Sequence, residues 1–305
     1  MKHAFLILVH NNFRVLNTLI RQLDYSNNDI YIHVDKKNKQ FIADRDIVRV
    51  KNANLFFIDR HKVGWCEYST VEAVVELMKE AKKTYHDYYH IMSGADLLIS
   101  TYNEFNQFFE DNRGKEFVGF TPNFNLDLVN YRHYFQSNYR NPNRYVQRIC
   151  FRLHSLLIKI QKVLFLKVKR SKEFLLVKKG ADWYSVTHNA IEYLIEQESK
   201  FRRCFRRAWC PSEFFAQTIL YNSEFKMQLY MNNSENEMEQ SQRYIDWERG
   251  TPYVFRNSDK NILSESNCLI ARKFDENIDM DIVNYIYSRY SLNDPPQMVH
   301  RSTDE

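Results

Sequence analysis

Residues 3–26, HAFLILVHNNFRVLNTLIRQLDYS, join an apolar run to a segment with helical spacing. The run 3–10 is short and almost wholly apolar, which is typical of a buried strand. In 13–26 the apolar side chains recur every three or four positions, which predicts a helix with one face on a sheet. These side chains are Val15, Leu16, Leu19, Ile20 and Leu23. The stretch therefore predicts the first strand and helix of an α/β fold.

The alternation continues to about residue 120. Strand-like segments are DIYIHVD (29–35), NLFFID (54–59) and YYHIMSG (88–94), and helix-like segments are CEYSTVEAVVELMKEAKKTY (66–85) and TYNEFNQFFEDN (101–112). Such a pattern predicts a mostly parallel sheet with helices on both faces. Ligands of these sheets bind beyond the carboxyl ends of the strands. Neither GxGxxG nor GxxxxGK(S/T) occurs, so a dinucleotide cofactor and a P-loop are not supported.

Composition favours one large domain. The chain has 305 residues, is 44% hydrophobic and contains only 6 Gly and 6 Pro. We expect a single domain over 1–290, with a nucleotide-binding half (1–120), a basic helical insertion (121–175), a catalytic half (176–290) and a polar tail (291–305). The five cysteines are odd in number and scattered, so we expect no disulfide framework and a reducing cytoplasm. No apolar run approaches the length that spans a bilayer.

Positive charge is concentrated in residues 128–172. This segment holds eleven Lys and Arg and no Asp or Glu, in a chain of net charge +5. It fits an ordinary amphipathic helix with its apolar side on the core and a solvated basic side. It also fits a helix on an anionic membrane, which would place the protein peripherally at the inner face of the plasma membrane. Nucleic acid is not expected, because no recognition motif accompanies the charge.

Eight motifs occur in a recognisable order along the chain. They are LVHNNFRVLNTLIRQL, YIHVDKK, VGWCEYSTVEA, HIMSGADLLIS, KKGADWYSVT, CPSEFFAQT, DWERGTPYVF and ARKFD. With them the chain resembles the core-2/I-branching glycosyltransferases, which include β-1,6-N-acetylglucosaminyltransferases and protein O-xylosyltransferases. The resemblance implies a GT-A-like nucleotide-sugar fold and an inverting reaction without a divalent metal. The chain looks like a compact bacterial-type member.

Glu213 in CPSEFFAQT is the candidate catalytic base. Its position alone favours a first-turn carboxylate that complements a helix dipole, worth about 0.3–1 kcal/mol. The resemblance places the base of the family at this glutamate. There it would take the proton of the acceptor hydroxyl as that oxygen attacks the sugar.

The leaving diphosphate needs positive charge rather than a metal in this scheme. The resemblance assigns Lys273 of ARKFD to this role, with Arg272 beside it as an optional contact. A second cation is expected near Gly250, where Arg249 is the nearest candidate and Arg256 the next; pairing of Arg249 with a neighbouring carboxylate is the alternative. The strings Asp44/Asp46 and Asp279/Asp281 are expected to lie on the surface, and 93–100 contains one Asp without a partner.

The remaining site candidates follow strand ends. Asp35 would accept ribose hydroxyls, unless it is a turn residue. Val9 and His10 would flank the uracil, and Trp65 would pack against nucleotide or sugar, unless it lies in the core. Facing the sugars we expect Asp96, Asp182, Trp183, Asp246 and Trp247. The alternatives are a turn or helix-capping role for Asp96 and a core position for Trp183.

Together these features predict a UDP-sugar-dependent transferase. The expected donor sugar is GlcNAc, with xylose as the alternative, and the expected acceptor is a glycan or lipid-linked glycan of a bacterial surface polymer. A catalytically silent carbohydrate-binding relative is the competing class. Retention of both Glu213 and Lys273 favours the enzyme.

Overall fold

The chain folds around a five-stranded, mostly parallel sheet with helices on both faces. This computed structural model describes residues 1–169 and 174–291. In chain order the elements are β1 (His3–Val9), α1 (Phe13–Gln22), β2 (Asn28–Val34), α2 (Ala43–Asp46), β3 (Asn54–Phe57), α3 (Ser69–Ala81), β4 (Tyr88–Ser93), β5 (Leu97–Leu98), α4 (Tyr102–Asp111), α5 (Asp127–Asn130), α6 (Arg144–Val163), β6 (Ser185–Thr187), α7 (His188–Phe205), α8 (Phe215–Tyr221), α9 (Glu237–Ser241), β7 (Arg243–Ile245), α10 (Lys260–Ser264), β8 (Ile270–Arg272) and α11 (Met280–Tyr290).

The main sheet has the order β3-β2-β1-β4-β6. β1 pairs in parallel with β2 and β4, and β2 with β3, whereas β6 runs antiparallel to β4. A smaller sheet, β5-β8-β7, stands beside it. The predicted α/β class with a mostly parallel, helix-flanked sheet is confirmed.

Side chains of β1 alternate between two cores, because successive residues of a strand point to opposite faces. Phe5 and Ile7 belong to a core shared with α1, α4 and α11, and Ala4 and Leu6 to one shared with α3, α7 and α8. Both cores are anchored by fully buried aromatic rings, such as Phe105 on one side. The sheet is therefore rigidly held, and its carboxyl edge presents loops to solvent.

Two departures from expectation concern local structure. Glu213 lies in a 3₁₀ turn, Pro211–Phe214, and α8 begins only after it. The expectation that the cysteines stay unbridged is wrong for Cys66 and Cys210, which form a disulfide across a sequence separation of 144 residues. Folding brings the loop before α3 against the turn before α8, and one-dimensional spacing does not report that proximity.

Some expectations fall outside the described residues. These are Arg170 and Lys172 of the basic segment and all of the polar tail except residue 291. Within 1–169 and 174–291, no helix combines the length and apolar character needed to cross a bilayer. Asp46 and Asp279 accept hydrogen bonds from nearby backbone N–H groups at helix starts.

Candidate active site

Glu213 is held in place by the chain just before β6. Its backbone carbonyl accepts a hydrogen bond from Gly180 N (2.9 Å), and its Oε2 lies 2.9 Å from Lys179 Nζ. The side chains of Glu213 and Lys179 are 29% and 21% exposed. Burial and then the negative charge of Asp182 raise the pKa of Glu213 to about 7, while Lys179 opposes the shift. A carboxyl group with such a pKa can accept a proton near neutral pH.

Asp182 lies beneath this pair. Burial raises its pKa; a hydrogen bond from Ser212 and the positive charges of Arg272 and Lys179 act in the opposite direction. Among the described residues, its Oδ1 is buried without a hydrogen-bond partner. Ser212 directly precedes Glu213, so Asp182 links the candidate base to the cations of the cleft.

Arg272 lies between Asp96 and Trp183, and its charge acts on Asp182. Its guanidinium carbon lies 4.2 Å from the centre of the Trp183 ring, and its Nη1 lies 3.6 Å from Asp96 Oδ1. Asp96 is almost fully buried and accepts hydrogen bonds from Ser93 N (2.8 Å) and Ser93 Oγ (2.9 Å). Arg272 Nη1 itself is buried without a hydrogen-bond partner in the described chain. The predicted residues Asp96, Asp182, Trp183, Glu213 and Arg272 are thus brought together.

Lys273 follows Arg272 and supplies the second positive charge. Burial, and then the charge of Arg272, lower the pKa of Lys273. Among the described residues, no carboxylate oxygen lies within 4.0 Å of Lys273 Nζ, so its charge is not paired in a salt bridge. Its charge also lowers the pKa of His10, after the larger effect of desolvation of the ring. Lys273 and His10 therefore share one region beyond β1 and β8.

The expected nucleotide contacts lie at the carboxyl ends of β1 and β2. Asp35 is buried, accepts a hydrogen bond from Lys37 N (2.9 Å) and lies 3.3 Å from Lys37 Nζ. These contacts give Asp35 a turn-forming role, whatever else it binds. Val9 packs against the turn after β4: a Cβ at Gly94 would stand 3.1 Å from Val9 Cγ2.

Trp65 is half-buried in an aromatic group at the rim of the cleft. Its ring lies edge-on to Trp209 (5.7 Å between centroids), and the Arg140 guanidinium lies 4.5 Å from its centre. The positive charge of Arg140 also contributes to the lowered pKa values of His10 and Lys273. Trp65 is thus available to a ligand rather than enclosed in the core.

The loop after β7 holds the last three candidates. Ile245 pairs with Arg272, so this loop starts beside Lys273. Arg249 forms ion pairs with Asp246 and with Asp259 (2.7 Å to Oδ1), as the alternative interpretation had it. Trp247 is 52% exposed. No contact in the described chain joins these three residues to the group around Glu213, and the charge of Arg249 is already balanced.

Sequence reasoning missed Lys179, Ser212, Arg140 and Glu237. Glu237 accepts hydrogen bonds from Ala181 N and from the Thr121 hydroxyl (2.8 Å), and its charge acts on Asp182 and Glu213. Lys179 and Ser212 lie within the motifs KKGADWYSVT and CPSEFFAQT, and that position was the available signal. Arg140 was counted only as part of the basic segment.

Comparison with known proteins gives a family and several distant relatives. The family model described as Core-2/I-Branching enzyme matches residues 3–266. Xylosyltransferase sqv-6 of Caenorhabditis briggsae is 22% identical over 98% of the chain and 38% of its own length. Xylosyltransferase sqv-6 of Caenorhabditis elegans is 22% identical over 93% of the chain and 36% of its own length. Xylosyltransferase 2 of Rattus norvegicus is 22% identical over 96% of the chain and 34% of its own length. The chain thus spans just over a third of these relatives.

Proposed function

The chain belongs to the core-2/I-branching enzyme family, and from that premise we propose that it is an inverting, metal-independent transferase. It moves a sugar from a UDP-sugar to a hydroxyl group of a glycan. The observation that carries the proposal is the placement of Glu213, whose Oε2 lies 2.9 Å from Lys179 Nζ and whose neighbour Ser212 bonds to Asp182, on which the charge of Arg272 also acts. Burial in this position raises the pKa of Glu213 to about 7.

Glu213 acts as the general base. It takes the proton of the acceptor hydroxyl while that oxygen forms a bond to the anomeric carbon. The positive charge of Lys179 favours the ionised carboxylate of Glu213, which can accept a proton. Burial and the negative charge of Asp182 favour the protonated carboxyl group, which retains the proton after transfer. The balance keeps the group near the midpoint of its titration at neutral pH, where a base is most effective.

The bond from the anomeric carbon to the UDP oxygen breaks in the same step, and negative charge develops on the diphosphate. Lys273 and Arg272 would stabilise this charge, since cations in a partly dry cleft act more strongly than in water. Arg272 is already oriented by Trp183 and Asp96. Arg140 at the rim is a better-placed second cation than Arg249, whose charge is balanced by two carboxylates.

Metal independence is part of the proposal and is supported by the chemistry of Asp96. Both of its oxygens are engaged, one by Ser93 Oγ and the other by Ser93 N. A metal-binding Asp-x-Asp pair at this strand end would need a second carboxylate two residues away, where Leu98 and Gly94 stand instead. The nearest charge is the cation Arg272.

Two donors follow from the family. UDP-GlcNAc was expected from the motifs, and UDP-xylose is the second candidate, which the names of the curated relatives favour. The acceptor we propose is a glycan or lipid-linked glycan of a bacterial surface polymer, glycosylated on the cytoplasmic side of the membrane. The silent carbohydrate-binding alternative predicts that no donor is turned over.

The test measures UDP release from UDP-GlcNAc and UDP-xylose in EDTA, with wild type, Glu213→Gln and Glu224→Gln. Glu224 is a matched control, because it is an exposed carboxylate in the first turn of another 3₁₀ helix. We expect hydrolysis of one donor that persists in EDTA, falls about 100-fold or more in Glu213→Gln and is unchanged in Glu224→Gln. Activity restored only by Mn²⁺ or Mg²⁺, or full activity of Glu213→Gln, would overturn the proposal.

A further inference from the structure

Helix α6 stands out because its apolar side does not face the protein. Of its 20 residues only His154 and Gln161 are buried, and both are polar. His154 Nε2 lies 3.0 Å from His133 Nδ1, and Gln161 bonds to the backbone of Arg132 at 2.9 Å in both directions. The helix is thus attached through hydrogen bonds, which is the reverse of an ordinary amphipathic helix on a core.

The exposed side carries a continuous apolar stripe. Its members follow one another at intervals of three or four residues, so they lie along one face of the helix. They are Tyr145, Ile149, Leu153, Leu156, Ile160 and Val163, with exposures of 77, 57, 44, 53, 43 and 73%. The next residues extend it, since Leu164, Phe165 and Leu166 are 58, 87 and 54% exposed. Isolated exposed apolar residues are normal, but a stripe of this length marks an interaction surface.

A basic stripe runs beside the apolar one. Arg148, Arg152 and Lys159 are separated by four and seven residues and therefore share the adjacent side of α6. All three are exposed. No Asp or Glu occurs between 128 and 172. Among the described residues Lys162 of α6 pairs with Asp127, whereas no salt bridge involves Arg148, Arg152 or Lys159. Apolar and basic stripes in parallel are the pattern of helices that lie in a membrane interface.

We propose that α6 and the adjoining residues 164–166 dock this protein in the headgroup layer of an anionic bilayer. The apolar stripe enters the acyl boundary, and the basic stripe contacts anionic headgroups. At about 30 Å, a 20-residue helix offers a long contact parallel to the surface. A second copy of the chain is a poorer occupant, because two such surfaces would oppose like charges without carboxylates between them.

Docking would place the candidate active site close to the lipid surface. The His154 ring stacks on Trp209 with 5.5 Å between centroids and an angle of 5° between planes. Trp209 precedes Cys210 and the turn that carries Glu213, and its backbone N–H bonds to Leu128 O (2.7 Å). The docking itself depends only on α6 and does not depend on the proposed transferase activity.

The test is flotation with vesicles of neutral phosphatidylcholine and with vesicles containing roughly 30% phosphatidylglycerol, at about 50 mM salt. We expect binding to the anionic vesicles and a loss of about tenfold or more in Arg148→Glu/Arg152→Glu. Lys51→Glu/Lys115→Glu has the same change in net charge on exposed lysines elsewhere and should bind like wild type. Leu156→Gln/Ile160→Gln should also lose about tenfold or more, whereas Met227→Gln/Ile42→Gln, at exposed apolar sites outside the stripe, should not.

Several outcomes would overturn the proposal. One is equal affinity for neutral and anionic vesicles, and another is an equal loss in the test and control pairs. A third is a dimer in light scattering that Leu156→Gln/Ile160→Gln converts to monomer without vesicles, which would assign the stripe to a second copy. Circular dichroism of each variant ensures that a loss of binding is not a loss of folding, and because all substituted side chains are exposed we expect native spectra.

Discussion

The ion pair between Lys179 and Glu213 should control the pH at which the enzyme becomes active. An opposite charge within about 4–6 Å lowers the pKa of a carboxyl group by about 1–3 units. The pair is short, at 2.9 Å, but its side chains are 21% and 29% exposed, so we take the low end, about one unit or about 1.4 kcal/mol. Lys179→Met should therefore raise the pKa of Glu213 from about 7 to about 8.

The consequence is a loss of activity that depends on pH. Glu213 must be ionised to act as base, so activity falls as pH drops through its pKa. At about pH 6 the ionised fraction goes from about 9% to about 1%, a roughly ninefold loss. At about pH 9 it goes from about 99% to about 91%, which is almost no change. The assay is kcat/KM for UDP release across this range, because that quantity reports the free enzyme.

Lys178→Met is the matched control for this experiment. It removes the same charge one residue away, but Lys178 Nζ lies 4.2 Å from the centre of the Tyr221 ring and pairs with that ring instead. We expect the acid limb of its kcat/KM–pH profile to coincide with that of wild type. A loss in Lys179→Met that is equal at all pH values would refute the reasoning. The reasoning would also be refuted if the acid limb shifted equally in Lys179→Met and Lys178→Met, or if the acid limb of wild type lay below about pH 5.

Three further predictions follow from the same region. The folded pKa of Glu213, about 7, lies above its ordinary 4.5, so wild type loses stability as pH rises from about 4.5 to about 7. In urea unfolding, Glu213→Gln should be about 1–2 kcal/mol more stable than wild type at about pH 8 and equal at about pH 4. A variant less stable at both pH values would contradict this. Unfolded protein should expose three reactive thiols without reductant and five after reduction, because Cys66 and Cys210 are bridged. Cys66→Ser/Cys210→Ser should lower the free energy of unfolding by about 2–4 kcal/mol. Five thiols without reductant would exclude the bridge. Lys273→Met should weaken UDP binding about 10–100-fold in calorimetry. Arg249→Met should change UDP binding less than about threefold, because the charge of Arg249 is already paired with Asp259. The reverse order would reassign the diphosphate contact.

Three strands of the first half, β1, β2 and β4, were predictable because they are buried on both faces. Apolar runs at 3–10, 29–35 and 88–94 correspond to β1, β2 and β4 within one residue at most ends. Such strands contain too few polar residues to be read as loops, and the intervening helices show clear three-to-four spacing.

The side of α6 that faces the protein could not be predicted from its spacing. Periodicity shows that one face is apolar, and the usual inference is that this face covers the core. Here the core-facing contacts are hydrogen bonds of His154 and Gln161, two polar residues on the opposite side. A histidine or glutamine carries no signal of burial in sequence, because its partners, His133 and the backbone of Arg132, come from a distant loop.

The candidate base shows the same limit at the level of one residue. Its motif identified Glu213, but its proton affinity is set by burial and then by Asp182 and Lys179, which lie three residues apart in a loop with no repeating pattern. Burial and Asp182 stabilise the protonated form and Lys179 the ionised form, so the balance depends on packing and distances that the motif does not contain. A family motif can therefore name the group that accepts the proton. The pH at which it does so depends on contacts between segments about 30 residues apart, and it changes if either neighbour is replaced.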